Sequence, residues 1–117
     1  MPPRQTGLSR STPLRSRPRG VPWRLRQRVI ERDGGCSARW VLRHDCQGRI
    51  DPHHVWMKGQ GGPDAEWNLT AVCRLAHRWI HDNPEQSERL GWLSWSWNGE
   101  MGARQASERR QTHRVAL

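Results

Sequence analysis

The chain predicts an α+β fold: a small domain with flanking helices, entered through a disordered basic N-terminal arm. Three observations predict it. A length of 117 residues allows one domain with a modest core. The opening stretch MPPRQTGLSRSTPLRSRPRG carries five arginines, no acid and almost nothing to bury, so it cannot offset the entropy of ordering itself. Further on, an extended segment, a glycine-rich loop and a helically spaced segment follow one another. The boundaries drawn from this are an arm over 1–21, a domain over 22–98 and a polar C-terminal tail over 99–117.

Each element has a local reason. VPWRLRQRVIERDGG reads as a helix: Pro22 suits the first turn, Trp23, Leu25, Val29 and Ile30 form an apolar stripe, and Gly34-Gly35 ends it. Arg24, Arg28 and Arg32 recur every fourth residue on one face. Cys36 to Cys46 is irregular, and GRIDPHHVW reads as a strand interrupted at Asp51-Pro52. MKGQGGPDAEW is a glycine-rich loop. The stretch from about Cys73 to Asp82 has helical spacing through Val72, Leu75, Trp79 and Ile80. Asn83-Pro84 restarts a short helix, with Asn83 as N-cap and Gly91 as its stop. WLSWSW alternates large and small residues, so it reads as a strand with Trp92 or Leu93, Trp95 and Trp97 packed; beyond about residue 100 the chain is polar and frayed. With no Phe or Tyr, the eight tryptophans supply the aromatic bulk of a thin core, and Trp56 and Trp67 are read as part of it.

Composition narrows the function classes. Lys plus Arg is 20 against 11 acids, a net charge of +9 with a pI near 11.4. Every cation except Lys58 is arginine, whose planar donor fork matches phosphate. Such a chain points to nucleic acid first and to an anionic membrane surface second; solvated arginine without a partner is the plain alternative. No export segment and no run of about 18 apolar residues occurs. Three cysteines, an odd number, argue against a disulfide framework and for a reducing compartment. A cytoplasmic protein is expected, with no membrane partner.

The chemistry concentrates in the histidines. His53 and His54 are neighbours on an extended segment and point to opposite faces. His77 and His81, in CRLAHRWIH, are four apart and share a helix face, a spacing that can hold one divalent ion. A zinc protease would need Glu directly after the first of these; Arg78 stands there, and that reading fails.

The run DPHHV, a Gly-Gly loop, NL and then CRLAHRWIH resembles the HNH nuclease family with its ββα-metal fold, over roughly residues 23–91. The resemblance implies a role for each matched position. His54 falls on the general base, and His53 on a metal ligand. His77 matches the final histidine of the motif, and His81 an additional ligand of the His-rich branch that includes the colicin-type DNases. Asn68 matches the residue that pins the loop behind the base, or binds the metal in other branches. The cofactor implied is one divalent metal ion (Zn, Ni, Mn, Co or Mg), with three imidazoles favouring the first four over Mg. Asp51 is a candidate acceptor behind the ligands, and a backbone carbonyl is expected to orient the His54 ring.

Many relatives carry a structural zinc on two Cys-x-x-Cys pairs. This chain departs from that pattern, with Ala76 where the partner of Cys73 would stand. Cys36, Cys46 and Cys73 could be completed by His44 into a second, structural zinc site, or could be three small buried hydrophobes. Arg49, Lys58, Arg74 and Arg78, with Arg24 and Arg28 of the first helix, are candidates for nucleic-acid contact. The expected activity is DNA phosphodiester hydrolysis to 5′-phosphate and 3′-hydroxyl ends. Small stand-alone members of this kind occur in phage and prophage, some beside terminase subunits in DNA packaging, which sets the expected partners and a host-cytoplasm location. A non-catalytic zinc module that binds nucleic acid, and a ribonuclease, are the alternative functions.

Overall fold

The structure is a computed structural model that describes residues 20–39, 42 and 44–116. The basic arm therefore lies almost wholly outside the described residues. Among those residues the architecture is α+β: four helices around one two-stranded antiparallel sheet. The order is α1 (Trp23–Asp33), β1 (Ile50–His54), β2 (Leu69–Cys73), α2 (Arg74–Asp82), α3 (Pro84–Leu90) and α4 (Gly99–Ala116), with short 3-10 turns at Lys58–Gln60, Glu66–Asn68 and Ser96–Asn98. None of these helices is long and apolar enough to cross a membrane.

β1 and β2 pair from Ile50 opposite Cys73 to His54 opposite Leu69. The predicted interruption at Asp51-Pro52 is absent: the strand runs through Pro52, which pairs with Ala71. A two-stranded sheet has only edge strands, and an edge tolerates a residue that cannot donate. β2 is buried along its whole length because α1 and α2 both pack on it. The tryptophans expected to supply the core's bulk mostly stay out of it: the buried core is Cys36, Ala38, Val72, Cys73, Ala76, Ile80, Trp92 and Leu93 on one side, Val29, Leu69 and Ala71 on the other, with Trp92 alone of the described tryptophans.

α1, α2 and α3 fall where their sequence signals place them, with Gly34 and Gly91 ending α1 and α3 in left-handed conformations. Asn83 occupies the N-cap position of α3, but its side chain instead donates to the Trp79 carbonyl at 2.9 Å. Three expectations are corrected. Trp23 and Trp97 are exposed rather than packed. WLSWSW is not a strand: Ser94 makes a single bridge to Trp56, and the chain then turns at Ser96–Asn98. The tail drawn over 99–117 is helical over Gly99–Ala116 and packs on α3 and both neighbouring 3-10 turns. Its buried face is Gly102, Ala103 and Ala106, residues too small to mark an apolar stripe. Close approach depends on that smallness, since a Cβ on Gly102 would lie 2.5 Å from the Ser94 hydroxyl.

Candidate metal centre and cationic cleft

β1 separates its two histidines as the alternation of a strand requires. His53 is buried against α2, its ring centroid 5.1 Å from that of His77 and 5.8 Å from that of His81; the last two are 4.8 Å apart. Each of the three can offer a ring nitrogen within 4.8 Å of the others. The Trp92 carbonyl lies 2.7 Å from His53 Nε2. A carbonyl only accepts, so Nε2 carries the hydrogen and Nδ1 keeps the lone pair that a metal needs. Burial pushes the His53 ring well below its ordinary range, to about 3, and burial together with His81 lowers His77. Both rings are therefore neutral at pH 7, the form that ligates. The donor set fits a divalent ion held by His53, His77 and His81, with coordination positions left open.

His54 occupies the opposite face and lines a cleft of 510 Å³ together with His77, Asp51, Arg26, Arg49, Lys58 and Arg74. Of the predicted contact residues, the fold brings Arg49, Lys58 and Arg74 into this cleft. Arg26, which the sequence did not single out, joins them by donating to the Ile50 carbonyl at 2.6 Å. Arg78 lines a separate pocket beside His44 and Trp79. Arg28 reaches Glu66 at 4.0 Å and Arg24 is exposed on α1; neither lines the cleft. The α1 face is partly spent on structure, since Arg32 donates to the carbonyls of Glu66 and Leu69.

Two expected orienting contacts are exchanged. The backbone carbonyl expected behind His54 stands behind His53, while His54 Nε2 meets a carboxylate, Asp64 Oδ1, at 2.6 Å. Asp51, expected behind the metal ligands, accepts from Arg49 Nε at 3.2 Å and from Arg74 Nε at 2.7 Å. That holds two guanidinium groups at the cleft wall with their terminal nitrogens left for another acceptor. Asn68 is fully buried and clamps the glycine loop: its Oδ1 accepts from Trp56 N–H at 2.8 Å, and its Nδ2 donates to the carbonyls of Trp56 at 2.9 Å and Pro63 at 3.1 Å. Trp56 and Trp67, expected in the core, are half-buried beside that loop, with Arg104 5.5 Å over the Trp67 ring.

A second cluster gathers Cys36, His44, Cys46 and Cys73. His44 Nε2 lies 3.2 Å from Cys73 Sγ, 3.6 Å from Cys46 Sγ and 3.9 Å from Cys36 Sγ. Tetrahedral zinc with ordinary Zn–S and Zn–N bonds separates sulfur from nitrogen by about 3.6 Å, the middle of that range. Burial pushes the Cys36 thiol up to about 12. Burial also acts to raise Cys73, but backbone contacts at Ala76 and Gln47 and the His44 ring outweigh it and bring that thiol down to about 6. Packed thiols resist ionising together without a cation among them, and a bound zinc removes that resistance. The four residues thus fit a closed, structural site.

No family model, curated protein or solved structure matches the chain.

Proposed function

We propose that this chain is a metal-dependent endonuclease with the ββα-metal arrangement of the HNH family, hydrolysing DNA phosphodiester bonds to leave 5′-phosphate and 3′-hydroxyl ends. One observation carries the reading: adjacent residues of β1 face two different tasks, His53 joining an imidazole trio while His54 lines a cleft walled by Arg26, Arg49, Lys58 and Arg74. The succession of β1, loop, β2 and α2 supports it, as does Asn68 clamping the loop between the strands.

A divalent ion on His53, His77 and His81 would supply Lewis-acid charge to the scissile phosphate and the departing 3′-oxygen. The chain's own groups do the rest. The cleft cations bind the phosphodiester; arginine held from behind by Asp51 keeps donors free for phosphate oxygens. His54 takes a proton from water, the water oxygen bonds to phosphorus, the P–O3′ bond breaks, and the leaving oxygen takes a proton from solvent. Such proton transfer contributes about 10²–10⁴-fold.

The test is supercoiled-plasmid cleavage by protein whose His53, His77 and His81 trio has been emptied with a weak chelator while the quartet stays loaded, then given Mg²⁺, Mn²⁺, Ni²⁺ or Zn²⁺ in turn, with His54→Ala alongside and an RNA of equal length in parallel lanes. Metal-dependent nicking that vanishes in His54→Ala upholds the reading. Wild-type protein that binds metal and DNA but cleaves with none of these ions selects the non-catalytic zinc module, which the fit of the Cys36, His44, Cys46 and Cys73 quartet favours as the second reading. Preferential RNA cutting makes the enzyme a ribonuclease.

A further inference from the structure

The glycine loop between β1 and β2 is built to a narrow tolerance. A Cβ on Gly62 would lie 1.8 Å from the Trp56 carbonyl oxygen, and Gly61 sits at φ +95°. Only glycine lets the chain pass so close to the Trp56 backbone and turn back. Asn68 ties the two ends together, bonding Trp56 at one and the Pro63 carbonyl at the other. The residue after Pro63 is Asp64, and its Oδ1 stands 2.6 Å from His54 Nε2. Lys58 is a looser neighbour, 3.9 Å from the other carboxylate oxygen. The His54 side chain is 13% and the Asp64 side chain 28% exposed.

We infer that Asp64 is a positioning residue that fixes both the tautomer and the orientation of His54. An ionised carboxylate can only accept, so the imidazole presents Nε2–H to it and keeps its lone pair on Nδ1. A ring free to exchange tautomers would spend part of its time with the reacting nitrogen already protonated. Asp64 removes that state. It also faces the positive charge that develops when the ring takes a proton, the task of the third group behind a nucleophile–base pair. The loop's glycines and Asn68 thereby acquire a shared purpose: they deliver one carboxylate to one ring nitrogen. The sequence shows Asp64 as one of two acids in a loop, and only closure of the loop reveals its partner.

The inference rests on the nuclease reading for its catalytic consequence but not for the contact, and the experiment separates the two. Full-length, zinc-loaded protein with ¹⁵N-labelled histidine is compared with Asp64→Ala and the isosteric Asp64→Asn by two-bond ¹H–¹⁵N correlation at neutral pH. The same samples are assayed for plasmid cleavage. The wild-type spectrum is expected to show His54 as the single Nε2–H tautomer, Asp64→Ala to show a mixture, and the signals of His53 and His77 to stay in place. In the cleavage assay kcat falls by about 10–10⁴-fold in both variants, the upper end being the loss when the carboxylate behind a general-base histidine becomes an amide, while KM is unchanged. A wild-type Nδ1–H ring, or a spectrum and kcat indifferent to both substitutions, overturns the inference. Should the wild type cut no nucleic acid, the nuclease reading fails, and the tautomer spectra alone still decide whether Asp64 fixes His54.

Discussion

The two clusters that could hold a metal share one helix and differ in almost everything else. Cys73 caps the start of α2, and His77 and His81 follow at four-residue steps. The quartet of Cys36, His44, Cys46 and Cys73 offers four ligands, enough to close a tetrahedron around an ion. The trio of His53, His77 and His81 offers three, and His77 also lines the cleft that holds four cationic side chains and His54. A closed site can only hold chain segments together. An open one beside a cationic cleft can bind and polarise something that comes and goes. With an ion bound, the quartet would tie the segment after α1 and the segment before β1 to the start of α2, and so hold the sheet that carries the trio.

The largest expected effect follows from that dependence. Cys73→Ser or Cys36→Ser removes a ligand from the closed site, and metal binding there is folding energy. In a domain whose core is largely Ala, Val and Cys, the loss is expected to consume most of a typical stability of about 5–15 kcal/mol. Thermal unfolding and metal analysis should show a broadened, low-temperature transition and one zinc fewer per chain. A variant that keeps its transition temperature after losing that zinc would show the quartet to be dispensable. His54→Ala should do the reverse. It leaves folding and metal content intact and lowers cleavage by about 10²–10⁴-fold, so the two substitutions separate scaffold from chemistry.

A smaller effect comes from pH. The folded chain holds His53 neutral down to about 3, whereas the unfolded chain protonates it near 6.5. Between those values the unfolded state binds the extra proton, so stability is present above about 6.5 and is lost as pH falls. The loss is on the order of 1 kcal/mol per pH unit. Urea midpoints measured from pH 7.5 down to 5.5, after a weak chelator has emptied the trio but left the quartet loaded, should fall accordingly. His53→Gln should flatten part of that slope; an unchanged slope would mean that the buried ring is not its source.

How much was legible in advance differs between the same regions. The trio could be read because adjacency on a strand and four-residue spacing on a helix are both local periodicities. The quartet could be proposed from ligand type but not decided, since Cys36, Cys46 and Cys73 meet only through the fold. Asp64 was illegible for a related reason: its partner lies ten residues back, across a loop whose closure depends on Gly62 and Asn68. α4 was missed because hydrophobic patterning senses large side chains, and the contact face of that helix is Gly102, Ala103 and Ala106. The break expected at Pro52 failed to occur because the sheet stops at two strands, leaving an edge where a proline costs little.

The smallest effect discriminates among arginines that sequence alone treated as equivalent. Arg49 and Arg74 are held at the cleft by Asp51, and Arg24 stands exposed on α1 outside it. If phosphate is bound in the cleft, Arg49→Ala removes one phosphate contact. It should weaken DNA binding to a similar extent for every sequence and reduce the slope of log affinity against log salt by about 1. Arg24→Ala should change that slope much less. Asp51→Asn should resemble Arg49→Ala even though it removes a negative charge from a basic surface. Simple electrostatics predicts tighter binding on losing an acid, so weaker binding would mean that the aim of the guanidinium groups matters more than the net charge. Tighter binding of Asp51→Asn would instead reduce the cleft to an unstructured patch of positive charge.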